Sequence, residues 1–264
     1  MILQNIDNNQ ADKNVRFVIK NIEHAALAAQ LAENFGNDEF AQPEPNDELL
    51  YLAAHHDHGW QSLDEDPPIN DTDGLPFNLG NTPFEFILKT SKGSPDFNEK
   101  HSPFCGLISS MHSYGLYNGR YGLSDAINMD SVPASSRADV DRMLAYEIAR
   151  QSRLKTALAS SFLNDDKVIF NAYKFLQFID ACALYFNMNP AGQRGQARFL
   201  HVPLSIDEDI DIAVSEVDSG RYRFRPYPFS QDSLDLYFEG RDLTPGVSMR
   251  AAPTGRQYLK IGRN

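Results

Sequence analysis

A change of pattern near residue 190 limits the fold of this chain more than any other feature. Before it, apolar residues recur at helical spacing in segments bounded by capping and stop signals. After residue 195, five short segments have strand-like composition and are separated by turn signals such as Asp218-Ser219-Gly220. We therefore predict a mainly α protein. A helical domain over residues 1–190 would carry a β-rich C-terminal appendage, an antiparallel segment over residues 191–264, packed on it.

Local signals place the individual elements. A strand at residues 15–20 precedes a helix that begins with Asn21, a capping residue, and ends before Gly36. Asn46 can cap a second helix over residues 47–58, and Ser102-Pro103 begins another that runs to about Tyr117. Further helices are predicted from Thr82-Pro83 and over about residues 136–163 and 166–187, and strands at 198–206, 212–217, 221–229, 235–238 and 257–261.

Composition disfavours several kinds of partner. The chain has 24 Lys and Arg against 36 Asp and Glu, so no basic field would attract nucleic acid or an anionic membrane surface. The N-terminal stretch is polar, unlike a signal peptide, and no apolar run is long enough to span a bilayer. Cys105 and Cys182 lie in apolar surroundings and are expected to be reduced core residues. We expect a cytoplasmic protein with a small-molecule substrate, and a homo-oligomer stays open.

Side chains of metal-binding type cluster at one predicted helix end, in His55-His56-Asp57-His58. Imidazole and carboxylate suit a catalytic divalent ion such as Zn, Mn or Fe. Asp180 lies in an apolar run of another helix, where a carboxylate is costly unless it meets a cation. His24 lies on the apolar stripe of the first helix, and His112 lies on the helix that begins after Ser102. The predicted metal-binding residues are His24, His56, Asp57, Asp180 and His112, with a substrate contact or a core position left open for His112.

These residues resemble the HD superfamily, in which a histidine, a His-Asp doublet and a distant aspartate, all on helices, hold a divalent metal. The segment Ala54-His55-His56-Asp57-His58-Gly59 is similar to the core signature of that superfamily. More closely, Glu23-His24-Ala25, Met111-His112-Ser113 and Phe178-Ile179-Asp180 resemble a bacterial family of uncharacterised proteins in this group. The resemblance covers roughly residues 15–190. One departure is Trp60, because many HD phosphohydrolases have a lysine there, and a role of that lysine in phosphate handling does not carry over.

The resemblance implies an HD-like helical bundle and a metal-dependent hydrolase. The leading expectation is a phosphohydrolase that acts on a small phosphorylated metabolite or nucleotide, with one or two ions of Fe, Mn, Mg, Zn or Ni. Arginine suits bidentate contacts to oxyanions, so Arg153 on the long helix predicted over about residues 136–163 is a candidate for substrate binding. We expect Asp57, His58 and His112 to be catalytic and Trp60, Gln151 and Arg153 to contact the substrate.

Two other functions stay open. HD-like bundles with additional histidines can hold two irons and activate oxygen, and His112 could then belong to a second metal site. A non-catalytic module that binds a metal or a ligand is the other alternative. Sequence motifs of other enzyme classes are absent, including the P-loop, the strand-linked GxGxxG and the GxSxG nucleophile motif.

Overall fold

Seven α-helices and nine strands form the part of the chain that the computed structural model describes, residues 1–5 and 14–263. Most of the polar N-terminal stretch, residues 6–13, lies outside it. The helices are α1 (Asn21–Glu33), α2 (Asn46–His55), α3 (Gln61–Glu65), α4 (Phe84–His101), α5 (Pro103–Tyr117), α6 (Arg137–Ala157) and α7 (Asp166–Met188). The strands are β1 (Ile2–Leu3), β2 (Arg16–Ile19), β3 (Ile69–Asn70), β4 (Leu75–Pro76), β5 (Gln196–Pro203), β6 (Asp209–Asp218), β7 (Arg221–Arg225), β8 (Ser233–Leu243) and β9 (Thr254–Gly262).

Seven of these strands form one curled sheet with the order β1-β2-β8-β9-β7-β6-β5, which makes a half-barrel. Its neighbouring strands are antiparallel except β7 and β9, which run parallel. The short strands β3 and β4 form a separate hairpin in the loop that follows α3. The sheet therefore joins strands from both ends of the chain.

The predicted fold class, a mainly α, HD-like helical bundle with a C-terminal antiparallel β segment, is wrong. The structure is 49% helical and 22% strand, and its sheet is a half-barrel. Strand β2 pairs with β8, with Arg16 opposite Leu243. A strand of eleven residues such as β8 leaves a row of unpaired backbone groups along one edge unless another strand covers them. Strand β2 covers the last three residues of that edge, from Arg241 to Leu243, and a four-residue segment carries too weak a pattern to reveal its partner.

Helices α1 and α7 pack against this sheet, α1 on β8 and α7 on β5. One cluster of buried apolar side chains includes residues of both helices and of strands β5 to β9. The guanidinium of Arg194, just before β5, lies buried at this junction, where it donates to the carbonyl oxygen of Phe186 at 3.0 Å and to Oε1 of Gln257 at 2.9 Å. The division into domains at residue 190 stays a prediction, although the core is shared across it.

Several predicted helix ends are confirmed, because their capping residues act locally. Ser102 Oγ accepts a hydrogen bond from the backbone N–H of Cys105 at the start of α5, and Asp165 caps α7 in the same way through Lys167. Cys105 and Cys182 are buried and unpaired, as predicted. Among the described helices, none combines the length and the apolar composition needed to cross a membrane.

Candidate metal centre

A cavity of about 320 Å³ lies between α1, α4, α5, α7 and the turn that follows α2. All of these elements except α4 contribute predicted metal-binding side chains to its wall: His24 from α1, His56 and Asp57 from the turn, His112 from α5 and Asp180 from α7. The folded chain therefore brings together residues that are 156 positions apart in sequence.

Three of these residues, His24, His56 and Asp180, place one ligand atom each within 4.8 Å of the others, and all three are buried. We call them the cavity triad. Nε2 of His24 lies 3.1 Å from Oδ1 of Asp180, and Nε2 of His56 lies 3.7 Å from the same oxygen. Oδ2 of Asp57 lies 3.9 Å from Nε2 of His24 and 3.8 Å from Nε2 of His56. Two imidazoles and two carboxylates thus converge on one small region.

The other ring nitrogen of each histidine in the cavity triad has a fixed partner. Nδ1 of His24 donates to Oδ1 of Asn187 at 2.8 Å, and Nδ1 of His56 donates to the backbone oxygen of Ala53 at 2.9 Å. A hydrogen bond from Nδ1 leaves the lone pair on Nε2 when the ring is neutral. Metal-binding histidines are oriented by such partners. Both Nε2 atoms therefore face the cavity, and each would offer a lone pair to a metal when its ring is neutral.

Nε2 of His56 is buried and has no hydrogen-bond partner among the described residues. Burial acts to lower the pKa of His56, but the charges of Asp57 and Asp180 outweigh it and raise the pKa to about 9. Burial acts to raise the pKa of Asp180, but its contacts with His24 and His56 hold that pKa well below its usual range. The Asp180 carboxylate is therefore ionised and requires a positive charge beside it. A proton on His56 or a divalent ion supplies that charge, so the residues fit a metal.

His112 differs from the two histidines of the triad. Its Nδ1 accepts a hydrogen bond from Nε2 of Gln177 at 2.8 Å, so Nε2 carries the ring proton and lies 4.0 Å from Oδ2 of Asp180. Burial lowers the pKa of His112 to about 4, which keeps the ring neutral near pH 7. A nitrogen that carries a proton does not ligate a metal. The metal-binding role of His112 stays a prediction, and the orientation of Gln177 favours its catalytic role.

The turn that carries Asp57 is held close to α4 by a glycine. A Cβ on Gly59 would lie 2.4 Å from the carbonyl oxygen of Thr90, so only glycine permits this approach. The N–H of Gly59 donates to Oγ of Ser94 at 2.9 Å. Trp60 follows and lines the cavity with its buried ring. The glycine of the sequence signature therefore positions both Asp57 and Trp60.

Three predicted site residues do not line the cavity. The ring of His58 stacks on Phe97 with 3.3 Å between centroids. Gln151 is hydrogen-bonded to two other side chains on α5 and the turn after it. Arg153 pairs with Glu99 at 2.8 Å, and 57% of its side chain is exposed. The catalytic role of His58 and the substrate contacts of Gln151 and Arg153 stay predictions.

The cavity also contains residues that sequence reasoning missed. Among the described residues that line it, Arg120 is the only arginine or lysine. The buried side chain of Tyr117 lines the same wall, and its hydroxyl makes no hydrogen bond of ordinary geometry within the described chain. The sequence shows only that Gly119 and Gly122 flank a turn after α5. Neither glycine reveals which way the arginine between them points.

A second group of ligand-type side chains, Glu48, His101 and Cys105, also has its atoms within 4.8 Å of one another. We call it the cap triad, because it surrounds the capping residue Ser102. The Ser102 hydroxyl donates to Oε2 of Glu48 at 2.6 Å, and the Cys105 thiol donates to the same oxygen at 2.9 Å. The ring of His101 stacks on Tyr51 with 3.5 Å between centroids. In the cap triad the carboxylate is already satisfied by protein donors.

The family model of a protein family of unknown function, DUF3891, matches residues 6–245. The chain therefore belongs to that family. None of the curated proteins and none of the solved structures matches it significantly. The resemblance to the HD superfamily stays a prediction.

Proposed function

We propose that this protein is a metal-dependent phosphohydrolase that acts on a small molecule. The observation that carries the proposal is Nε2 of His56, which is buried and unpartnered beside the other members of the cavity triad. A buried ring nitrogen without a hydrogen bond is costly in a folded protein, and a divalent ion that replaces the proton on Nε2 would accept its lone pair and remove that cost. The cavity around it has the volume of a small-molecule site.

The charges of the cavity favour an anionic substrate. Arg120 on the wall is positive, and a divalent ion bound by the triad would offset the negative charges of Asp57 and Asp180, so the cavity would be positive overall. A phosphate ester places negative charge on several oxygens, and its hydrolysis is accelerated mainly by positive groups held around them. This arrangement supports phosphoryl transfer to water over a reaction of a neutral substrate.

The residues of the cavity have separate tasks in this proposal. His24, His56 and Asp180 would hold a divalent ion, which supplies a bound water of lowered pKa and polarises the phosphoryl group. The Asp57 side chain is 19% exposed, and its Oδ2 lies near both Nε2 atoms, so it can accept a proton from the attacking water. His112 presents Nε2–H at the same wall and can donate to the leaving oxygen or to the phosphate.

The two alternatives receive less support. A diiron oxygenase needs a second set of ligands, and within the described residues the cavity holds one group of three. His112, the candidate for the second ion, presents a proton through its contact with Gln177. A non-catalytic module would use the triad to hold a structural ion. The cavity beside the triad favours an enzyme over that module.

The proposal is tested by hydrolysis assays on metal-reconstituted protein. Substrates are phosphomonoesters, phosphodiesters and nucleotides, assayed with Zn, Mn, Fe, Mg and Ni in turn. We expect turnover of at least one class, abolished in His56→Ala and retained in His101→Ala, which removes a histidine of the cap triad. Wild-type rates no higher than those of His56→Ala on every substrate and metal would overturn the proposal.

A further inference from the structure

We propose that Arg120 binds the phosphate group of the substrate and that a strained turn, residues 119–122, holds its guanidinium in the cavity. The inference rests on the proposed function for the identity of the substrate. It is carried by the backbone of this turn, by the missing partner of Arg120 and by Tyr117, which lines the same cavity.

The turn has an unusual backbone. Four successive residues have positive φ: Gly119 at 62°, Arg120 at 50°, Tyr121 at 57° and Gly122 at 89°. Glycine adopts this left-handed region without cost, whereas a side chain with a Cβ is strained there. Two adjacent bulky residues in that region are an outlier. Such outliers persist where the surrounding structure fixes them, and they are concentrated at functional sites.

Tyr121 is the residue that fixes the turn. Its ring packs edge-on against Tyr173 with 5.2 Å between centroids, and its hydroxyl donates to Oε1 of Gln151 at 3.1 Å. The backbone N–H of Ser124 donates to the oxygen of Gly119 at 3.1 Å and closes the turn. These contacts stabilise the turn and offset the backbone strain at Tyr121.

No comparable side-chain contact offsets the backbone strain at Arg120. Arg120 lines the cavity, is half-buried and acts on His112 through its charge, yet its guanidinium makes no ion pair or hydrogen bond with the described residues. Six other arginines of the described chain pair with a carboxylate, as Arg142 does with Asp139. An arginine held in a costly conformation without a protein partner is explained by a partner that binds from solution.

The chemistry of the cavity wall specifies that partner as an oxyanion with several acceptor oxygens. The planar guanidinium can donate two parallel hydrogen bonds to one phosphate. Tyr117 is 3% exposed, and its hydroxyl, whose contact with Ser91 lacks ordinary hydrogen-bond geometry, would turn from Ser91 to donate to a third oxygen. A carboxylate has only two oxygens and would leave one of these donors or the cavity triad without a partner. Phosphate can engage all of them.

Phosphate binding to the metal-loaded protein tests the assignment directly. The probes are inorganic phosphate and acetate, which represents a carboxylate ligand. The binding of both is measured by titration calorimetry. We expect wild-type protein to bind phosphate more tightly than acetate. Arg120→Ala should weaken phosphate binding by at least about tenfold, because a hydrogen bond to a charged group is lost. Arg120→Lys should recover only part of the affinity for phosphate, since an ammonium cannot donate two parallel hydrogen bonds to one phosphate.

The matched control is Arg142→Ala, which removes an exposed arginine from α6, with bound metal measured in every variant. Its affinity for phosphate and the metal content of all variants should equal those of wild type. Unchanged phosphate affinity in Arg120→Ala, tighter binding of acetate than of phosphate, or no phosphate binding by metal-loaded wild type would each overturn the inference.

The strain of the turn has a readout that is independent of activity. Arg120→Gly and Arg120→Ala both remove the guanidinium, but only glycine relieves the left-handed backbone. We expect the glycine variant to melt at a higher temperature than the alanine variant, with phosphate binding weakened in both. Equal melting temperatures would overturn the claim of a strained turn.

These outcomes separate the inference from the proposed function. If wild type hydrolyses no ester but binds phosphate in an Arg120-dependent way, the proposed function fails and the inference stands. If hydrolysis is observed and Arg120→Ala changes neither phosphate affinity nor the KM for the ester, the inference fails and the proposed function stands.

Discussion

Within the described residues, two groups of three side chains bring ligand atoms to within 4.8 Å, yet they differ in chemistry. In the cavity triad both histidines donate hydrogen bonds through Nδ1 to fixed acceptors, and Nε2 of His56 has no hydrogen-bond partner among the described residues. In the cap triad Glu48 accepts hydrogen bonds from Ser102 and Cys105, and His101 is stacked on Tyr51 and partly exposed. The comparison teaches that closeness of ligand types does not define a metal site. What defines it is whether the lone pairs are already used by protein donors.

The largest expected difference between the triads is in bound metal. Asp180→Asn removes the carboxylate that neutralises an ion at the cavity triad. Its effect on metal affinity should exceed the roughly 10–100-fold that loss of a mere supporting partner causes. Glu48→Gln, the matched change in the cap triad, should leave metal content unchanged. Elemental analysis after dialysis measures both, and loss of metal in Glu48→Gln would break the comparison.

The second prediction sharpens the role of His112. Because the neutral ring donates a hydrogen bond through Nε2–H, His112→Asn should leave metal content unchanged and reduce kcat by about 100-fold or more, the range for loss of a donor to developing negative charge. Metal content and steady-state kinetics are measured on the same preparation. Metal loss in His112→Asn would show that Gln177 is oriented the other way and that His112 is a ligand.

The third prediction concerns the residue behind His24. Asn187→Ala removes the acceptor of Nδ1 and frees the ring to rotate, so metal affinity should fall by about 10–100-fold. The control is Asn171→Ala, another buried asparagine of α7, whose amide donates to Ser205 instead. Competition with a metal chelator measures both affinities. Equal affinities in the two variants would contradict an orienting role.

The sequence predicted the local parts of this molecule better than the distant ones. Ser102 and Asp165 reveal helix starts, because a cap acts within three residues of itself. Asp180 could be singled out because an ionised carboxylate in an apolar helix requires a partner. The residues that the signature named, His56 and Asp57, do lie beside it.

Features that depend on long-range pairing were not predictable in this way. The position of β2 beside β8 depends on which edge of the sheet is free, and a four-residue strand does not specify that edge. Arg120 was missed because nothing in Gly119-Arg120-Tyr121-Gly122 tells which side of the turn faces the cavity. Arg153 was favoured from the sequence, but a carboxylate on α4 pairs with it.

The fourth prediction uses the Cys105 thiol of the cap triad. Burial and the neighbouring Glu48 raise its pKa, so the thiolate, the form that reacts and binds metal, is scarce up to pH 9. Alkylation of folded protein at pH 9 should be at least ~10-fold slower at Cys105 than at free cysteine, and the rate should still rise with pH above that point. Peptide mass spectrometry measures the rate, with urea-unfolded protein as the control. A fast rate that levels off below pH 9 would make the cap triad a metal-site candidate.

The smallest expected effect is on the free energy of unfolding. It tests whether the cap triad serves to stabilise the start of α5. Ser102→Ala removes the hydroxyl that accepts from the N–H of Cys105 and donates to Glu48, so α5 loses its cap. The free energy of unfolding should fall by about 1 kcal/mol, the usual cost of a lost N-cap. Ser102→Asp restores an acceptor for the N–H but faces Glu48 with a second carboxylate, so it should recover less than Ser102→Thr. Urea denaturation measures the series, and metal content should not change in any variant. A cap triad that lost metal rather than stability in these variants would be the functional site, and the cavity triad would then need another explanation.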